Sequence, residues 1–136
     1  MTPYLLLLLF VTLNAYLGRR SGHKLIRRMS LLIIGMALIL FAGLRDYRVG
    51  TDTGNYIRHF YASDSFDYVT EQQDVGYYLI SWLARSMTDS YASLLLLIAL
   101  LVVSCYLITI IRVVKRYETA VYLFVALGVY TFFFNG

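Results

Sequence analysis

Four stretches of this chain carry no charged residue: Met1–Gly18, Met29–Leu44, Ser90–Ile111 and Thr119–Gly136. A charge is costly in hydrocarbon, and a helix needs about 20 apolar residues to cross a core about 30 Å thick. The runs therefore read as membrane spans at about 2–18, 29–44, 91–111 and 119–135. The second run has only 16 residues, but Arg28 and Arg45 flank it. Their long side chains can reach the interface from its ends. The first run has no basic segment ahead of it, and its positive charges follow it instead, so it reads as an uncleaved span and not a secretory signal. Composition agrees. Of 136 residues, 60% are hydrophobic and 15% are charged, against about 25% charged in a soluble domain.

The loops set the orientation. Arg19, Arg20, Lys24, Arg27 and Arg28 give the first loop five cations and no acid. Arg112, Lys115 and Arg116 give the last loop three, against Glu118. The central loop, 45–90, holds four arginines and seven acids. Lysine and arginine near span ends mark the cytoplasmic side. Both short loops then face the cytoplasm, while the N-terminus, the central loop and the C-terminus face outward. The net charge of +4 is thus a topology signal. It does not point to nucleic acid, because the cations cluster at the ends of apolar runs.

The central loop reads as two short helices. Asp52 or Thr51 can cap a helix starting near Thr53, with Tyr56, Ile57, Phe60 and Tyr61 on one face. Val75 to Ala84 is uncharged but too short to span. Its Val75, Tyr78, Leu79, Trp82 and Leu83 share a helical face, and Asp74 is a candidate N-cap. This segment reads as an amphipathic helix in the outer interface, or packed on the helix ends, with Trp82 as an anchor. The acidic stretch Ser63 to Gln73 joins the two helices. The fold class is an all-α integral membrane protein with four transmembrane helices and a long extracytoplasmic loop.

Most enzyme chemistries lack their residues here. His23 and His59 lie in different loops, and the single cysteine, Cys105, sits in an apolar run, so no metal-ligand spacing occurs. No phosphate-loop or dinucleotide motif is present. Ser81 and Ser86 have no implied histidine partner. The segment FAGLRDYRVGTDTGNYIRHFY, 41–61, is different. Arg45 and Arg48 offer planar forks suited to phosphate or carboxylate. Gly50 and Gly54 permit backbone angles closed to other residues. Asp52 is available as base, cap or ion-pair partner, and Tyr56 can stack on a sugar ring or anchor in the interface. Taken singly, each residue also has a plain structural reading: the arginines as span-end anchors and Asp52 as a cap.

This segment resembles the bacterial exopolysaccharide and O-antigen polymerases of the EpsG/Wzy type. The likeness rests on an R-x-x-x-V-G-T-D-x-x-x-Y pattern after an early span: Arg45, Val49, Gly50, Thr51, Asp52 and Tyr56. Asp74, Gly76 and Tyr77 then open the next helix, and the chain ends in YTFFFNG. Family members carry an aromatic-rich span ending in Phe-Asn, followed closely by an arginine. They are also several hundred residues long. The resemblance therefore implies that this chain is the N-terminal part of a larger polytopic glycosyltransferase-like fold.

The resemblance implies an activity at the outer face of a bacterial cytoplasmic membrane, in O-antigen, capsule or exopolysaccharide synthesis. A glycan on undecaprenyl diphosphate is transferred to a sugar hydroxyl of a lipid-linked repeat unit. Arg45 and Asp52 are then the catalytic candidates; Arg48, Gly50, Tyr56, Asp74 and Tyr77 are the substrate-binding candidates. No metal or cofactor is required. The implied partners are the undecaprenyl-diphosphate-linked oligosaccharide, membrane lipid, and a chain-length regulator or flippase. The rival readings are a small non-catalytic membrane protein and a subunit of a lipid-linked sugar transporter. A membrane acyltransferase would need a histidine within a span, which is absent.

Overall fold

The computed structural model describes residues 2–46, 48–50, 52–62 and 74–131. All regular structure among them is helical. In chain order the helices are α1 (Thr2–Arg20), α2 (Lys24–Gly43), α3 (Thr53–Ala62), α4 (Val75–Met87), α5 (Tyr91–Val113) and α6 (Tyr117–Ala126). Two of them, α2 and α5, are long and apolar enough to cross a membrane. Only 22% of the apolar window of each is buried, unlike the core helix of a soluble protein. Their exposed leucines, isoleucines and methionines require an apolar surrounding.

The chain divides into two compact units. Among the described residues, one comprises those of 1–39 with 102–131, and the other those of 40–101. In the first unit α1 packs along α6. The buried stripe of α1 is Leu7, Val11, Ala15 and Gly18, one helical face, while Leu5, Leu6, Leu9, Leu13 and Leu17 are exposed. Ile34 and Leu38 of α2, Val103 of α5, and Val121 and Phe124 of α6 complete the interior. Ser30 Oγ of α2 donates to Asn14 O of α1 at 2.6 Å, and other polar residues of the apolar helices bond within their own helix. Thr12 Oγ1 donates to Leu8 O at 2.6 Å, Asn14 Nδ2 to Phe10 O at 2.9 Å, and Thr109 Oγ1 to Cys105 O at 2.8 Å. Hydrocarbon offers no other partner, so such bonding to the preceding turn suits a membrane setting.

In the second unit α3 packs on α4. Phe60, Ala84 and Leu94 form its buried cluster, with Tyr77, Ile80, Tyr91, Leu97 and Ile98 against them. Arg85 Nη1 of α4 donates to the carbonyls of Phe60 and Tyr61, at 3.1 and 2.5 Å. It thereby satisfies carbonyls at the C-terminal end of α3, where a cation is favoured.

The helices depart from the sequence reading in two places. First, α2 starts at Lys24, so Lys24, Arg27 and Arg28 are helical and share its first turns. Second, the expected continuous helix over 119–135 ends at Ala126. Leu127 N–H bonds Leu123 O at 2.9 Å, Gly128 N–H bonds Val125 O at 3.1 Å, and Gly128 has φ +74°. This left-handed residue after the last turn stops the helix. Tyr130 beyond the stop is buried, and its hydroxyl donates to Leu38 O at 2.7 Å. The apolar face of α4, read as lying in the outer interface, is largely exposed. Tyr78, Ser81 and Ala84 are the buried positions, while Val75, Leu79 and Leu83 stay exposed as a stripe four residues apart. The larger aliphatics are thereby left for an apolar surface outside the unit.

Candidate functional site

Helix α2 ends at Gly43, and the chain must turn before α3 can start at Thr53. Asp46 makes the first bend. Its Oδ1 accepts Arg48 N–H at 2.9 Å and its carbonyl accepts Val49 N–H at 3.0 Å, which is the short-range bonding aspartate favours in turns. Gly50 then takes φ +98°, a left-handed angle that a side chain would strain. Asp52 precedes α3, and its main-chain carbonyl accepts Asn55 N–H and Tyr56 N–H at 3.0 and 3.1 Å. It therefore stands where an N-cap stands, with an exposed side chain. Thr51, the other capping candidate, lies outside the described residues, as does the acidic stretch 63–73.

Thr53 is the closing residue of this turn. It is only 2% exposed. Its Oγ1 donates to Val49 O at 2.8 Å and accepts Arg45 Nη2 at 3.1 Å. Arg45 is half-buried and held against the first turn of α3, whereas Arg48 is exposed. The first turn of a helix presents N–H groups and partial positive charge. The Arg45 guanidinium at such a turn makes a setting for a phosphate-type anion, with Arg48 three residues further along the chain.

One turn further along α3, Tyr56 meets α4. The Tyr77 hydroxyl donates to Tyr56 O at 2.6 Å, and the two rings lie 5.3 Å apart at 40°. Burial pushes the Tyr77 phenol well above its ordinary range, with Tyr78 and Tyr56 adding to the effect. Tyr77 is therefore a neutral donor at physiological pH, and its hydroxyl is committed to α3. Tyr56 is exposed and offers a ring face. Beside them, Tyr78 Oη and His59 Nδ1 lie 3.1 Å apart with their rings edge to face. Asp74 occupies the N-cap position of α4, but its side chain makes no capping bond; its carbonyl accepts Tyr78 N–H at 3.2 Å.

Arg45 and Gly50 are thus built into one turn with Arg48 and Asp52, and Tyr56 and Tyr77 into one aromatic contact, all within the second unit. Helix α3 joins the two groups. Asp74 is placed at the start of α4, in neither contact. Sequence reasoning missed Thr53, His59, Tyr78 and Arg85. Thr53 had a signal, since a threonine beside a candidate cap is a ready hydrogen-bond partner. The other three depend on α3 meeting α4, which no spacing announces. Among the described residues no group of three metal-ligating side chains occurs.

The EpsG family model matches residues 28–136. The chain belongs to the EpsG family. The matched stretch contains every candidate site residue and begins within the first turns of α2, leaving α1 outside it. Comparison with curated proteins and with solved structures gives no significant match. In this EpsG chain the turn between α2 and α3 brings Arg45, Gly50 and Asp52 to the start of α3.

Proposed function

We propose that this EpsG-family chain carries the diphosphate-binding site of a membrane polysaccharide polymerase, with four spans and the 45–90 loop on the outer face of the cytoplasmic membrane. The spans are α1, α2, α5 and the chain from α6 through residue 135. The donor is a glycan on undecaprenyl diphosphate, and the acceptor is a sugar hydroxyl of a lipid-linked repeat unit. The hydroxyl oxygen attacks the anomeric carbon of the donor, and the bond from that carbon to the diphosphate oxygen breaks. Undecaprenyl diphosphate leaves with the electron pair. Arg45, with Arg48, stabilises the charge that develops on it. Asp52 takes the proton of the attacking hydroxyl, and Tyr56 offers its ring to the sugar. Tyr77 holds Tyr56 in place, and Asp74 stands at the start of the helix that carries Tyr77.

The observation that carries this reading is the Arg45–Thr53–Val49 chain of hydrogen bonds, which fixes a guanidinium at the start of α3. Family membership supports a role in polysaccharide synthesis at a membrane. Charge asymmetry supports the outward placement of the loop. The test is Arg45→Ala in the chromosomal gene. The long-glycan ladder disappears while protein level and membrane insertion persist. Arg45→Lys, which keeps a point charge and loses the fork, retains only part of the ladder. A normal ladder in Arg45→Ala overturns the assignment.

A further inference from the structure

The basic cluster of the first loop does more than orient the chain. Because α2 begins at Lys24, three cations fall at i, i+3 and i+4 on one helical face: Lys24, Arg27 and Arg28. They form one end of a cleft of about 730 Å³ within the first unit. The rest of its wall is mostly aliphatic, with Leu31 from α2 and Leu107 and Ile111 from α5, beside Ser104 and Tyr117. That volume lies in the range of small-molecule sites, about 300–1,000 Å³.

Arg27 is fixed in the wall from behind. Its Nε donates to Glu118 Oε1 at 2.7 Å, its Nη2 lies 2.6 Å from the same oxygen, and its guanidinium stacks over the Tyr117 ring at 4.9 Å. Glu118 is itself only 7% exposed. It balances one of the three charges. Among the described residues Lys24 and Arg28 have no carboxylate at ion-pair distance, so the cleft keeps two unbalanced positive charges beside its aliphatic wall.

We infer that this cleft binds an anionic phospholipid, with the phosphate at Lys24, Arg27 and Arg28 and an acyl chain along Leu31, Leu107 and Ile111. Charge complementarity selects the occupant. A small anion leaves the aliphatic wall bare, at a cost that grows with apolar area exposed to water. A zwitterionic lipid brings its own cation against Lys24 and Arg28. Only an amphiphile with net negative charge satisfies both ends, the pattern of basic pockets between helices at a membrane surface. The site involves no residue of the Arg45 turn and stands apart from the glycan reading.

The test is native mass spectrometry of the 136-residue chain released from detergent, titrated with phosphatidylglycerol or with phosphatidylcholine of the same acyl chains. The chain retains one phosphatidylglycerol at least tenfold more tightly than phosphatidylcholine. Lys24→Gln/Arg28→Gln removes that preference with helix content unchanged by circular dichroism. Ile111→Trp, which fills the cleft without altering charge, expels the lipid and covers the case in which the double variant fails to fold. Equal retention of both lipids overturns the inference, as does unchanged retention in Ile111→Trp. Displacement of the lipid by millimolar inorganic phosphate reduces the cleft to an ion site and overturns it too. Equal capture of an acidic peptide assigns the cleft to a protein partner, with the same consequence.

Discussion

At the scale of single residues, Thr53 decides whether Arg45 is held or loose. Its hydroxyl is buried, and it both accepts from Arg45 and donates to Val49. Replacing it with valine leaves a buried guanidinium N–H and a carbonyl without that partner, at a cost of about 1–3 kcal/mol. Thr53→Val therefore lowers the thermal midpoint of the purified protein and shortens the glycan ladder, while Thr53→Ser keeps both. Tyr77 gives a pH prediction. Its folded phenol ionises well above its ordinary value because it is buried. The folded chain then holds a proton that the unfolded chain releases, so stability is flat below the ordinary tyrosine range near about pH 10 and falls as pH rises beyond it. Tyr77→Phe should flatten that alkaline decline in a denaturation series, and an unchanged slope would contradict the assignment. The sequence made the Arg45, Gly50 and Asp52 turn legible because turn chemistry is local: glycine, aspartate and a helix start fall within a few residues. It could not show that Tyr77 donates to the backbone of Tyr56, because 21 residues separate them.

At the scale of elements, close approach and charge pairing decide which helix stands where. Gly43 ends α2, and a Cβ built there would lie 2.8 Å from Leu96 Cα and 2.5 Å from Leu96 Cδ2. The nearest obstacle on the main chain cannot swing away. Gly43→Ala should destabilise the protein by about 1–3 kcal/mol through overpacking, read as a lower midpoint in thermal unfolding in detergent. A midpoint equal to the parent's would show that the helices can part without cost. The Arg27–Glu118 pair ties α2 to the start of α6 across 91 residues of sequence. Removing one partner strands the other, so Arg27→Gln should destabilise more than Arg27→Met/Glu118→Leu, which removes both charges. Equal midpoints for the two variants would mean the pair contributes nothing. Hydrophobic runs foretold α1, α2 and α5 within a few residues, since a long apolar stretch has few alternatives to a helix. They could not foretell the stop at Gly128, because Leu127 and Gly128 continue an uncharged run and only the backbone angle ends the helix. The apolar stripe of α4 was legible from its period, but the packing of α3 on α4 through Tyr78 and Ala84, which leaves Val75, Leu79 and Leu83 outside, was not.

At the scale of the whole molecule, the claim is that an EpsG-family chain places one chemically equipped turn on the outer face of a membrane. Topology is the first consequence. Single cysteines introduced at Asn55 or Asp89, in a chain with Cys105→Ser, should react with a membrane-impermeant maleimide in intact cells. Cysteines at His23 or Lys115 should react only after the membrane is opened. Labelling of His23→Cys in intact cells would reverse the orientation and take the Arg45 turn away from the outer face. The all-helical class with long apolar helices was legible because run length acts over the entire chain, and the orientation read from loop charge is what the labelling tests. The division into two compact units was not legible, since no linker or change in composition marks it. Photo-crosslinking tests the central claim most directly. A diazirine-bearing undecaprenyl-diphosphate oligosaccharide is irradiated with the membrane-embedded protein, and the adducts are mapped by mass spectrometry. The account predicts adducts within 45–56 and 74–78 that vanish in Arg45→Ala. Adducts absent from both segments, or undiminished by Arg45→Ala, would contradict it.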